Sequence, residues 1–157
     1  MQTKTIVVTT KNNWFQRAET IANNRKRRWQ HRQFLVEGVR AINQLRGASK
    51  WQVEALLYQP GQRLSSWAQT VLQEIAAPYH LELSAELMAE LSDKEETSEV
   101  LAIVNMPVID DVAVKLNEKA VVVLLDRPSN PGNLGSIIRS CDAFGVDHLI
   151  IIGHGAD

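Results

Sequence analysis

The stretch that decides the fold runs from Ala120 to Ile152, AVVVLLDRPSNPGNLGSIIRSCDAFGVDHLIII. Ala120 to Leu125 is an unbroken apolar run, the pattern of a strand buried on both faces of a parallel sheet. A loop of Pro, Asn and Gly follows, then a helix predicted from about Leu134 to Phe144, with Gly145 placed to stop it. His148 to Ile152 supplies a second apolar strand, so the order is that of a βαβ unit. Two strands and one helix are too few to bury both faces of a parallel sheet. Gly153 to Asp157 reads as a loop leading onward, and the expectation is that the 157 residues stop inside a domain. Both strands would then keep association-prone edges.

Upstream, Asn105 to Glu118 has no strong period and contains Pro107 and Asp110-Asp111, as a linker would. Three segments result: a first domain over 1–105, a linker over 106–118, and the start of a second domain over 119–157. In the first, strands predicted at Phe34–Gly38, Trp51–Tyr58, His80–Leu83 and Val100–Val104 alternate with helices. The helices are predicted at Asn12–His31, Val39–Leu45, Trp67–Ala76 and Ala85–Leu91. Ser66 is the expected cap of the third helix, with Gln69 as its capping-box partner. Ser84 is the expected cap of the fourth, without a box because Leu87 holds the third helical position. The alternation predicts an α/β layer structure.

Composition excludes several classes. Hydrophobic residues make up 45% and charged residues 22%, which argues against a disordered, collagenous or coiled-coil chain. No apolar run is long enough to span a bilayer, Met1 to Thr10 lacks a secretory pattern, and Cys141 has no internal partner. A soluble protein of the reducing cytoplasm is the expectation. The formal charge of −1 hides a strong asymmetry: residues 1–50 hold eleven Lys/Arg against two acids, and residues 51–157 hold six against sixteen. Such asymmetry suggests a polyanion partner for the first third; two solvated faces that balance for solubility are the plainer alternative.

The chemistry concentrates in the loop from Leu125 to Arg139. At the carboxyl end of a parallel strand, such a loop is the favoured ligand position of an open α/β sheet. Gly132 and Gly135 permit close backbone approach, Asn133 offers both donors and an acceptor, and Arg139 carries a fork of donors suited to phosphate or a developing oxyanion. Neither G-x-G-x-x-G nor G-K-[ST] is present, so this is no dinucleotide fingerprint and no P-loop. On pattern alone, a tight turn whose glycines serve packing remains open.

The run LLDRPSNPGNLGSIIRSCDAFGVDHLIII resembles motif 1 of the SpoU (TrmH-like) branch of the SPOUT methyltransferases, with Asn130 where the family commonly has Asp. Upstream, Arg25-Lys26-Arg27-Arg28 followed by Gln33-Phe34-Leu35-Val36-Glu37-Gly38-Val39-Arg40 is similar to the ribosomal-protein-like α/β substrate-binding domain often fused ahead of SpoU catalytic domains. The resemblance implies an enzyme that moves a methyl group from S-adenosylmethionine to a ribose 2′-hydroxyl of rRNA or tRNA, working as a homodimer with a trefoil-knotted parallel-sheet domain. It implies Asn133 and Arg139 as the functional pair, with most cofactor-binding residues after Asp157, so that the 157 residues alone would be inactive. Arginine is effectively always protonated, so stabilising the attacking oxygen suits Arg139 better than acting as a literal base.

Arg25, Lys26, Arg27, Arg28, Arg32 and Arg40 are the expected RNA contacts, with Trp29 interleaved for stacking on an unpaired base. A solvated helix end and a core tryptophan are the plainer alternatives. His31, His80, His148 and His154 have no metal-like spacing, and no metal is expected. Cys141 reads as a small core residue, and Glu95-Glu96 and Asp110-Asp111 as solvated loop charges. Two rival functions stand beside methyl transfer: a non-catalytic RNA-binding module, and a nucleotide-dependent α/β enzyme whose glycine-rich loop holds phosphate.

Overall fold

The structure is a computed structural model that describes residues 3–47, 51–61, 63–92, 96–107 and 117–156. Glu95, Asp110, Asp111 and most of the expected linker lie outside the described residues. The chain divides into two compact units, Met1–Val108 and Ile109–Asp157.

The first unit has the element order β1 (Lys4–Val8), α1 (Asn13–Asn23), α2 (Arg25–His31), β2 (Gln33–Glu37), α3 (Val39–Leu45), β3 (Gln52–Tyr58), α4 (Ser66–Glu74), β4 (Tyr79–Leu83), α5 (Ala85–Leu91) and β5 (Val100–Asn105). The five strands form one sheet in the order β1-β4-β3-β5-β2. β4 runs parallel to both β1 and β3, while β5 is antiparallel to both β3 and β2. Helices cover both faces. Phe15, Ala18 and Ile21 of α1 pack with Leu87, Met88 and Leu91 of α5 over one face, where Leu57, Leu81 and Ile103 meet them. Ile42 and Leu45 of α3 and Ala68 and Val71 of α4 cover the other, against Val53, Leu56 and Val104. Val100 to Val104 is wholly buried because β5 lies between β3 and β2 with helices on either side. A one-residue register shift between Val53 and Ala55 explains why Val53 faces the same side as Leu56 while Ala55 faces with Leu57.

Three sequence expectations need correction here. The helix expected over Asn12–His31 is two helices, because Asn24 breaks it: extended at φ −129° and ψ 107°, it ends α1 and caps α2 through its side chain, which accepts from the Arg27 N–H. β1 was not expected, although its Thr5-Ile6-Val7-Val8 run is β-branched, as strands favour. α4 starts one residue early, with Ser65 rather than Ser66 as its cap. Gln69 does not close a box; it donates to the Leu64 carbonyl. Glu99, 34 residues away, accepts from both the N–H and the hydroxyl of Ser65 at 2.7 and 2.6 Å and takes over that part. Gly38 sits at φ 94°, where it turns β2 straight into α3.

The second unit holds β6 (Val122–Asp126), α6 (Pro131–Ala143) and β7 (His148–Ile152), with β6 and β7 paired in parallel. α6 begins at Pro131, three residues before the expected Leu134, because Asn130 caps it and proline at the first position already has the helical φ. The apolar strands, read as buried on both faces, keep Val122, Leu124, Ile151 and Ile152 exposed in this unit. Among the described residues, no helix is long and apolar enough to cross a membrane, and no group of His, Cys, Asp and Glu could hold a metal ion.

Candidate active-site loop and nucleic-acid interface

In the second unit the carboxyl ends of β6 and β7 meet in two facing loops. Arg127 takes the left-handed region at φ 50°, donates its N–H to the Ile152 carbonyl, and clasps Asp126 through Nε and Nη2, both at 2.9 Å. The clasp raises the Arg127 pKa further above its ordinary value. Gly153 lies against the Arg127 side chain so closely that a Cβ there would come within 2.6 Å of its Cγ. The Ala156 N–H closes on the Pro128 carbonyl. Residues 126–128 and 153–156 thus brace one another.

The next residues build the start of α6. Asn130 Oδ1 accepts from the Asn133 N–H at 2.9 Å, so asparagine here performs the capping that aspartate would perform. Asn133 is therefore in the first helical turn rather than in a free loop. Its backbone is held, while its exposed carboxamide makes no hydrogen bond among the described residues. Arg139 lies six residues further along, and its side chain runs back toward the helix start. Nη2 donates to Ser136 Oγ at 3.2 Å, Ser136 donates to the Gly132 carbonyl, and a Cβ on Gly135 would lie 3.5 Å from Nη1. Asn133 lies in the capped first turn, and Arg139 reaches back along the helix as far as Ser136, with no hydrogen bond to Asn133 among the described residues. A guanidinium folded toward a helix amino terminus adds its charge to the positive end of the helix dipole, so an anion placed there would be met by both.

Cys141 is half-buried and, with Ile137, Phe144 and Val123, lines an apolar cavity of about 330 Å³ between α6 and β6. That cavity offers little to an adenosine ribose or an amino-acid carboxylate.

In the first unit the basic cluster is a short helix held at both ends. Asn24 caps its start, and the Arg28 guanidinium reaches back to the Ile21 and Ala22 carbonyls, both at 3.0 Å, tying α2 to the end of α1. Arg27 donates to Gln30 within the helix, and Lys26 and Arg40 are exposed. Arg32 ends the helix at φ 52° and donates to the Pro107 carbonyl at 2.8 Å. Trp29 is 51% exposed and is not a core residue. Behind the cluster lies a polar chain that sequence reasoning did not single out. Arg17 donates to Gln33 at 2.8 Å, Gln33 to Asn105 at 2.6 Å, and Asn105 to Glu54 at 3.2 Å, with Gln33 only 2% exposed. Nothing in the pattern around Gln33 marks it as buried. Arg127 and Gly153 were missed for the same reason, since a left-handed arginine has no sequence signature.

Residues 12–102, more than half of the chain, match the SpoU L30e-like domain. The chain belongs to the SpoU family. Residues 120–157 of this SpoU chain match the SpoU rRNA methylase family. Over 151 residues, 96% of the chain, it is 40% identical to the 23S rRNA (uridine(2479)-2′-O)-methyltransferase of Streptomyces viridochromogenes. Over 85% of the chain it is 28% identical to the 23S rRNA (guanosine(2553)-2′-O)-methyltransferase RlmP of Bacillus subtilis. The SpoU chain spans about half the length of these relatives, 52% and 48%. The crystal structure of the SpoU methyltransferase AviRb from Streptomyces viridochromogenes, in complex with the cofactor AdoMet, is similar over 93% of this chain and 55% of that one, with a TM-score of 0.80 and 40% identity. An rRNA methyltransferase from Sinorhizobium meliloti, 23% identical, shares the fold over 98% of this chain and 56% of that one at a TM-score of 0.78.

Proposed function

We propose that this chain carries the RNA-docking domain and the nucleophile-positioning loop of an S-adenosylmethionine-dependent rRNA 2′-O-ribose methyltransferase. The observation that most supports the reading is the Asn130-capped start of α6, toward which Arg139 reaches back as far as Ser136, in a chain whose other unit displays a preformed basic helix. Residues 1–105 are the substrate-binding domain, 106–118 the linker, and 119–157 the first part of the methyltransferase domain. A bound donor would lose its methyl group from the sulfonium to the ribose oxygen, leaving a neutral thioether, and the hydroxyl proton would pass to water. On that oxygen Arg139 acts as a fixed cation that stabilises developing negative charge, while the Asn133 carboxamide orients the ribose. Lys26, Arg27 and Arg40, with Arg25 alongside, hold phosphates, Arg28 ties their helix to α1, and Trp29 stacks on an unpaired base.

The named 23S rRNA enzymes among its relatives favour rRNA over tRNA as the substrate. A homodimer and a cytoplasmic setting belong to the same reading.

The test is binding to structured rRNA and tRNA fragments at several salt concentrations, beside a variant with Arg25, Lys26, Arg27 and Arg28 neutralised. Affinity should fall with salt, and the slope should shrink in the variant by about 0.9 for each phosphate it no longer neutralises. Absence of affinity at low salt would remove the docking role. In a protein with a complete donor site, Arg139→Lys should remove most turnover and leave RNA affinity little changed, and near-normal turnover would remove the role of Arg139.

A further inference from the structure

We propose that Arg32 is a positioning residue that fixes where the chain leaves the five-stranded sheet, and that it is not an RNA ligand. The second half of this inference rests on the reading of α2 as the RNA-docking helix.

Two non-glycine residues have positive φ among those described, Arg32 and Arg127, and in both the guanidinium closes onto a neighbouring acceptor. At the end of a helix that backbone conformation normally selects glycine or asparagine. An arginine there keeps the strain for something its side chain does.

What it does is visible in three successive residues, the last of β5 and the two that follow it. Asn105 is the register partner of Gln33 and receives its side-chain N–H at 2.6 Å. Met106 donates its N–H to the Arg32 carbonyl at 2.7 Å, which continues the β2–β5 ladder one residue past the strand end. Pro107, which has no N–H, is held through its carbonyl by Arg32 Nη2 at 2.8 Å. The backbone and the side chain of one residue thus grip two consecutive positions, Met106 and Pro107, the second of them 75 residues away in sequence. Gln33, buried and tied to Arg17, keeps the base of this clamp from shifting. Arg32 is exposed, as Lys26 and Arg40 are, but its Nη2 is held on a backbone carbonyl and not turned toward a phosphate. Arg32 has instead committed a donor to the exit of the sheet.

The experiment uses this chain with two variants. Arg32→Gly keeps the left-handed backbone and removes the guanidinium, and Arg32→Lys keeps a donor for the same carbonyl. Hydrogen exchange at the Met106 amide should quicken in Arg32→Gly by about five- to tenfold, the factor one hydrogen bond is worth, and should return most of the way in Arg32→Lys. The salt dependence of RNA binding should be the same in Arg32→Gly as in the parent. Unchanged exchange at Met106 overturns the clamp. A slope reduced by about 0.9 makes Arg32 a phosphate ligand and overturns the proposal from the other side. If the parent chain binds no RNA at any salt, the docking reading fails by itself, and Met106 exchange still decides whether Arg32 clamps the exit.

Discussion

The two units of this chain spend the same alternation of strands and helices differently. In the first, four helices cover both faces of a five-stranded sheet, and β5 has no exposed residue from Val100 to Val104. In the second, one helix packs on two strands, and Val122, Leu124 and Ile151 remain exposed although they are as apolar as anything in β5. The lesson is that an apolar run specifies a strand and leaves its surroundings unspecified. Burial is conferred by neighbours. In the first unit they create a folding core, while in the second they leave the apolar side chains of both strands partly exposed.

The sharpest way to break this contrast is to truncate one isoleucine in each unit. Ile103→Ala should cost about 2–5 kcal/mol, the range for a buried large-to-small change, and Ile151→Ala should cost under about 1 kcal/mol because its side chain is already 42% exposed. Urea unfolding followed by circular dichroism reads both. For Ile103 it can be cross-checked by fluorescence, since Trp14, Trp29, Trp51 and Trp67 all belong to the first unit. Equal costs would mean that the second unit has a core of its own.

Gly153→Ala comes next. It places a side chain at φ 72°, 2.6 Å from Arg127 Cγ, so the facing loops must part, at a cost of about 1–2 kcal/mol from the backbone alone. The amide of Arg127, bonded to the Ile152 carbonyl, should exchange faster, while the amides of β5 should be untouched. Asparagine caps give a smaller, matched pair. Asn24→Ala and Asn130→Ala should each cost about 1 kcal/mol, the first read in thermal unfolding and the second in exchange at Asn133 and Leu134. Asn130→Asp should cost nothing measurable.

The smallest effect concerns one face of the first sheet. Burial and the hydrogen bond to Glu82 push the Tyr58 hydroxyl up to about 12, while in the unfolded chain it titrates near 10. The unfolded state therefore gives up its proton first. The stability this group contributes is whole below about pH 10 and is lost as the pH climbs through about 12. Tyr58→Phe should flatten that part of the alkaline unfolding curve, and an unchanged curve would show that the hydroxyl is not held in solution.

Legibility followed the range of the interactions. The βαβ order, strands β2 to β7 and the Asn133–Arg139 spacing rest on local periodicity and turn chemistry, and all could be read from the sequence. The Asn24 break could also have been read, because asparagine before a cationic run is a capping signal; the long amphipathic stripe around it masked that signal. The cap of α4 could not, since Ser65 and Ser66 are equivalent until Glu99 arrives from 34 residues away. Gln33 was invisible in the same way: only the sheet order places it beside Asn105 and Arg17. For the candidate site, the residue types were legible and their orientation was not, because the backward fold of Arg139 depends on Ser136 and on the absence of a Cβ at Gly135.

The strand order also governs how the chain assembles as it is made. β2 is formed by residues 33–37, yet among the described residues its one neighbour in the sheet is β5, formed by residues 100–105. On a ribosome, β2 and the cationic helix before it emerge early and wait until nearly the whole first unit has been synthesised. The β3–β5 pairing waits too, so the sheet closes in one late event around its last strand. A ribosome-stalled chain ending before Val100 should therefore be sensitive to protease along β2, and one extended far enough for β5 to clear the exit tunnel should not.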